Sequence, residues 1–286
     1  MKKIISVMLA VLMLAGALFA LASCGKEDQV KYVPVKLTNE QYAYGVNKND
    51  AELLATVNKV LSDISANGTL NSIVKKYFSD DKANFKKFPA GTEDSSKKQL
   101  VVATNTPFSP FEFADYDNGT KLFCGIDMEI AALIAEEMDA ELVIKDQAFD
   151  TLLTAVETGK ADIVMAGLTV SPDREKQVTF SQTYYEASQV IIVKADDTTF
   201  DACTTAEEVE NILNGFGKDV VIGYQNGTTG GLYVEGDADW GFDGFNVTAK
   251  GYDSAVTATQ ALINGQIDYV VVDEGPATII VKQMNG

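Results

Sequence analysis

The chain has 286 residues, 46% hydrophobic and 22% charged, enough for one large or two modest globular domains. Acidic residues number 41 and basic ones 23, a net charge of −18. That argues against a nucleic-acid partner, since phosphate neutralisation needs a Lys/Arg excess. The absence of histidine excludes His general bases, Ser-His-Asp triads and imidazole-ligated zinc. Three cysteines make neither a disulfide framework nor a four-Cys metal site.

Residues 1–24 read as an address. Met1-Lys2-Lys3 is a short basic start, and the apolar run from Ile4 to Ala22 forms the core of a secretory signal. Its end, Leu21-Ala22-Ser23-Cys24, resembles a bacterial lipobox, in which Cys24 is acylated. The expectation is an extracytoplasmic protein, lipid-anchored to the bacterial cell membrane. Cys124 and Cys203 are left either to pair or to stay free thiols.

Beyond the signal, Leu53, Leu54, Val57, Leu61 and Ile64 share one helical face, which Gly68 ends. Leu70, Ile73, Val74, Tyr77 and Phe78 form the next. Residues 79–98 are polar with Gly, Pro and Ser, the composition of a flexible connection. From there apolar strands alternate with helices. The strands are at 100–104, 141–145, 162–166, 189–193, 219–223 and 268–272. Continuous apolar strands between helices predict mainly parallel sheets covered on both faces. An internal echo pairs AVETGKADIVMAG (155–167) with ALINGQIDYVVVD (261–273), matching Gly159 to Gly265, Asp162 to Asp268 and Gly167 to Asp273. Gly167 and Asp273 therefore fall at strand carboxyl ends, where open α/β sheets place ligands.

Three segments and one strand end could hold a ligand. In TNTPFSPFEF (104–113), prolines hold Phe108 and Phe111 in a loop, to face a ligand or to close the core. In AGLTVSPDRE (166–175), Gly167 permits close approach and Thr169 offers a hydroxyl and an N–H. Arg174, the only arginine in the chain, presents a fork for a carboxylate or pairs with Asp173 or Glu175. IGYQNGTTGG (222–231) reads as a strand entering a helix N-terminus suited to an anion, or as a plain loop. Asp273 would bind an ammonium or cap the following helix. Asp237, Asp239 and Asp243 suggest a calcium loop, but Thr248 stands where its bidentate Glu would be, so an acidic surface loop is expected.

These segments, with GIDMEIAALIAEEM (125–138), TFSQTYYEASQVIIV (179–193) and the late Asp273, resemble in order the family 3 extracellular solute-binding proteins, amino-acid receptors of ABC importers. The resemblance implies a two-lobed, type II periplasmic-binding-protein-like α/β fold, each lobe a mainly parallel sheet flanked by helices. One block is out of place. QYAYGVNKNDAELLATVNKVLSDISANGTLNSIVKKYF (41–78) is similar to the family's usual C-terminal ending but stands near the N-terminus. A circular permutation is therefore expected. Residues 30–40 and 195–286 would form lobe two, 41–78 and 99–192 lobe one, and 79–98 would join the family's usual termini. The strands near Ala43–Val46 and Val190–Lys194 would cross between lobes as the hinge.

What the resemblance implies for the site is a clamp on a zwitterion. Arg174 would grip the α-carboxylate with N–H groups of Thr169 and Thr228 or Thr229. Asp273, the Gly167 carbonyl and Thr169 would hold the ammonium. Phe108 and Phe149 would sandwich the side chain, Asn105 and Gln225 would meet its end, and Leu168 and Gly227 would complete the lining. Two neutral amides favour a polar uncharged ligand such as glutamine. A monomer without cofactor or metal, working with importer permease subunits, is expected. The alternative is an enzyme on the same fold, dehydratase-like, with Glu112, Asp273 or Glu274 as its acid.

Overall fold

The computed structural model describes residues 27–79 and 81–286; the expected signal sequence and the expected lipidation site Cys24 lie outside the described residues. β1 (Val30–Val33) comes first, then β2 (Glu40–Tyr42), β3 (Gly45–Asn47), α1 (Ala51–Ala66) and α2 (Thr69–Tyr77). Next are β4 (Phe88–Pro89), β5 (Gln99–Thr104), β6 (Phe113–Asp117), β7 (Thr120–Cys124), α3 (Ile126–Glu137), β8 (Glu141–Asp146), α4 (Leu152–Glu157) and β9 (Ile163–Val164). The remainder runs α5 (Pro172–Glu175), β10 (Val178–Phe180), β11 (Tyr185–Ala187), β12 (Gln189–Lys194), α6 (Ala206–Asn214) and β13 (Val221–Gln225). It ends with α7 (Thr229–Glu235), β14 (Thr248–Tyr252), α8 (Ala255–Ile263), β15 (Tyr269–Asp273) and α9 (Glu274–Asn285).

Two five-stranded sheets organise the chain, in the orders β10-β3-β9-β5-β8 and β1-β12-β15-β13-β14. In the first, β5 runs parallel to β8 and β9; in the second, β13 runs parallel to β14 and β15. The expected parallel arrangement holds for those three strands in each sheet. The other two strands of each sheet pair antiparallel with their neighbours, so that β3 and β12 run against the parallel three. The apolar runs are explained by burial on both faces, because successive strand residues point opposite ways. Leu100 and Val102 join the cluster of Ile126, Ile130 and Ile134 on α3, while Ala103 joins Leu152, Ala155 and Val156 on α4. Likewise Val270 and Val272 face one core and Tyr269 and Val271 the other.

The two sheets are linked by an antiparallel ribbon of β2 and β11, pairing Tyr42 with Tyr185 and Glu40 with Ala187. This corrects the expected hinge by a few residues. Residues 45–47 already belong to the first sheet and 189–194 to the second.

The early segment folds as its pattern predicts. Asp50 caps α1 by accepting from Leu53 N, and Leu53, Val57, Leu61 and Ile64 are buried. Gly68 turns the chain into α2 at a φ of +81° that other residues resist. β3 then lies inside the first sheet, and β1 edges the second.

Residues 81–98 are not a free connection. Phe88 pairs with Phe123 across β4 and β7, and Ile144 N donates to Ala90 O at 2.7 Å. Phe85 meets the rings of Tyr77 and Phe113, and Lys86 pairs with Glu129 of α3 at 3.0 Å. The aromatic residues inside a polar run dock it as a strap. In the last turn of α9, Asn285 accepts from Gln29 N and Val30 N and donates to Val30 O.

Candidate functional site

The ends of β5, β9, β13 and β15 converge on one cavity. One wall is Asn105, Phe108, Glu112, Phe149, Gly167, Thr169 and Arg174; the other is Gln225, Thr228, Thr229 and Asp273. Of the expected ligand-binding residues, only Leu168 and Gly227 do not line it. The Leu168 side chain is in the core, and its carbonyl accepts from Ala43 N. The Gly227 carbonyl accepts from Arg174 instead, at 3.1 Å.

Asp127, at the start of α3, builds the first wall. Gly125 precedes it at φ +129°, where a Cβ would lie 2.0 Å from the Phe111 carbonyl oxygen, so no other residue fits. The buried Asp127 carboxylate then accepts from Gly167 N at 2.9 Å and from the hydroxyls of Tyr44 and Tyr184. Burial raises this carboxyl to about 6 against those bonds. The Gly167 turn that it holds has φ +54°, and a Cβ there would meet the Phe108 ring at 2.7 Å. Phe108 is thus a wall of the cavity, whereas Phe111 is fully buried core.

Arg174 is buried. Its guanidinium donates to Thr169 O at 2.8 Å and to Gly227 O on the opposite side, and lies over the Phe149 ring at 5.6 Å. No bond to Asp173 or Glu175 forms; Asp173 takes Lys176. Burial draws the guanidinium down to about 10, while Glu40 and Asp273 pull upward, so it stays charged at neutral pH.

Asp273 is the residue before α9, yet its side chain makes no capping bond. Its Oδ1 accepts from the Tyr42 hydroxyl at 2.6 Å. Burial, then the neighbouring Glu40, raises this carboxyl to about 7, opposed by the hydrogen bonds of Tyr42 and Gln189.

On the β13 side, Gln225 Nε2 donates to Asn105 Oδ1 at 2.7 Å across the cleft, and Asn105 Nδ2 donates to Gln147 O. Helix α7 begins at Thr229, as the expected nest requires, but has only seven residues. Thr228 gives its hydroxyl proton to Gln225 O rather than capping.

Three contributions carry no assignment to the clamp at the sequence level. Glu40 and Tyr42 come from a three-residue ribbon strand with no motif of its own. Glu112 enters there only as an enzymatic acid; it is fully buried in the wall, with both carboxyl oxygens unpartnered. Burial raises it well above the carboxylate range, helped by Asp127, Asp146 and Asp273. Gln225 Oε1 is also buried without a partner.

Two facing α/β sheets, a crossing ribbon and a polar cavity at the strand ends define a two-lobed receptor of the type II binding-protein class. Residues 100–274 match the bacterial extracellular solute-binding proteins, family 3, and the chain belongs to that family. The ABC transporter arginine-binding protein 1 from Escherichia coli is 30% identical over 179 residues, covering 63% of this chain and 65% of that protein. The chain spans 35% to 67% of the length of the curated relatives it matches. Among solved structures, an ancestral arginine-binding protein bound to glutamine is 33% identical with a TM-score of 0.53, covering 65% of this chain and 74% of that one. An ancestral amino acid-binding protein described as a precursor of cyclohexadienyl dehydratase is 26% identical with a TM-score of 0.54, covering 75% and 78%.

Proposed function

We propose that the protein captures a polar α-amino acid outside the cytoplasm and delivers it to an ABC importer. The observation that carries this reading is the placement of Arg174 and Asp273 on opposite walls of one cavity. A guanidinium for the carboxylate and a carboxylate for the ammonium are the two charges a zwitterion needs. Closing the lobes then buries the ligand, a familiar hinge motion. Binding at micromolar strength corresponds to about −8 kcal/mol.

Asn105 and Gln225 are neutral amides in the cavity lining and suit a glutamine side chain. A second reading, arginine, is favoured by the unpartnered oxygens of Glu112 and Gln225. A guanidinium placed beside Glu112 would hold that carboxyl ionised, leaving all three oxygens as acceptors for its five N–H donors. The relatives named as arginine-binding support it. A thermal-shift screen over the common amino acids decides. Ligand at 100-fold over Kd adds about 2.7 kcal/mol of stability, and no shift with any amino acid defeats the reading. Recovery of unchanged ligand after long incubation separates capture from dehydratase-like turnover.

The segment order is part of the proposal. The family match covers 100–274, and β3 with its following helices completes the first sheet from the N-terminal side. A permuted chain accounts for both. Membrane attachment through Cys24 would tether the second lobe. Release of a Cys24→Ala variant into the medium tests the anchor.

A further inference from the structure

Glu40 lies outside the expected clamp but touches both sides of it. Its side chain is buried, and Oε1 accepts from Thr38 Oγ1 at 2.6 Å and Gln189 Nε2 at 3.1 Å. Oε2 accepts from the hydroxyls of Thr169 and Thr229, each at 2.8 Å. An ionised carboxylate has about four lone-pair sites, and these four donors occupy them. Thr169 and Thr229 stand on opposite walls of the cavity.

A hydroxyl carries one proton and two lone pairs. Once Thr169 gives its proton to Glu40, its oxygen meets the cavity only as an acceptor. Thr229 is committed further, because its oxygen also accepts from Gln189 Nε2 at 3.0 Å. Neither hydroxyl has a proton left for a ligand carboxylate. That group must rely on Arg174 and backbone N–H groups. Gly167, Thr169 and Asp273 all line the cavity, and in the clamp that the family resemblance implies, Asp273, the Gly167 carbonyl and Thr169 Oγ1 would make three acceptors for three N–H donors.

We propose that Glu40 is a positioning residue that fixes the donor–acceptor polarity of the site, holding Thr169 Oγ1 as an acceptor so that the cavity selects an α-ammonium over an α-hydroxyl. This rests on the amino-acid reading of the cavity. An α-hydroxy acid brings one donor and its own lone pairs to three acceptors, and unpaired buried acceptors are what make such sites selective. In a Glu40→Gln protein the new amide donates to the threonine oxygens. Thr169 then turns its proton toward the ligand and opposes the ammonium.

The test compares the amino acid giving the largest thermal shift with its α-hydroxy analogue, by calorimetry. Wild-type protein must bind the amino acid; if it binds none, the capture reading fails, and Glu40 is not what failed. Glu40→Gln is expected to lower the amino-acid to hydroxy-acid affinity ratio at least about tenfold. Thr169→Val, which keeps the Glu40 charge and removes the oxygen, is expected to lower it similarly. An unchanged ratio in folded Glu40→Gln overturns the proposal. So does a ratio that falls in Glu40→Gln but holds in Thr169→Val, because charge rather than hydroxyl polarity would then be responsible. Should Glu40→Gln not fold, Glu40→Asp takes its place, since it keeps the charge but draws the carboxylate back from the Thr169 and Thr229 hydroxyls: a lowered ratio supports the proposal and an unchanged one overturns it.

Discussion

The units at 155–167 and 261–273 are built alike and end differently. Each has a helix, a glycine near φ +70° (Gly159 at +71°, Gly265 at +70°), and a buried strand. Asp162 Oδ2 accepts from Val101 N at 2.7 Å, and Asp268 Oδ2 from Val221 N at 2.8 Å. Even the returning bonds match, Asp162 N to Val101 O and Asp268 N to Val221 O. At the last position, one unit places Gly167 against the Phe108 ring and the other places a carboxylate against Tyr42. The scaffold is shared, and the chemistry is confined to the residue that reaches the cavity.

Substitutions at and near these ends separate scaffold from chemistry. Arg174→Ala, beyond the Gly167 end, should abolish the ligand-induced thermal shift for every amino acid. Asp273→Ala should weaken binding by about 2–5 kcal/mol, the cost of unpairing a buried charge, as calorimetry would read. Lowering pH imitates that change reversibly. With its carboxyl near 7, Asp273 must lose a proton to accept an ammonium. Affinity should therefore fall by up to about tenfold per pH unit below 7. The empty protein should respond with the opposite sign. A carboxyl raised on folding holds its extra proton between the unfolded value near 4 and the folded value near 7. Its contribution to stability is then largest in acid and declines as pH rises through that window. Gly167→Ala should cost about tenfold in affinity and about 1 kcal/mol of stability, since φ +54° and the Phe108 ring both oppose a Cβ. Asp162→Ala should cost about 1–3 kcal/mol by unpairing the part-buried Val101 N–H, and Asp268→Ala less, because its bond to Val221 N is exposed, both seen in denaturant unfolding. Ligand affinity should hold in both, and a loss of affinity in either would tie that Asp to the cavity.

Much of this is legible in the sequence because it is local. Alternation of apolar strands with glycine-ended helices gives the layers, and the strand ends follow from counting along them. The lone Arg174 and the late Asp273 stand out by residue type. Glu40 gives no such signal, because its partners Thr169 and Thr229 are 129 and 189 positions away. The strap escapes a sequence reading for a different reason. Its composition is polar, and the weight of Phe85 and Phe88 appears only when Tyr77, Phe113 and Phe123 are brought beside them.

Asn285 has a mechanical consequence. One amide side chain binds the first described strand to the last turn of α9. A pull entering at Gln29 is shared between α9, through this amide, and β12, through the ladder of β1, before it reaches the ribbon strands.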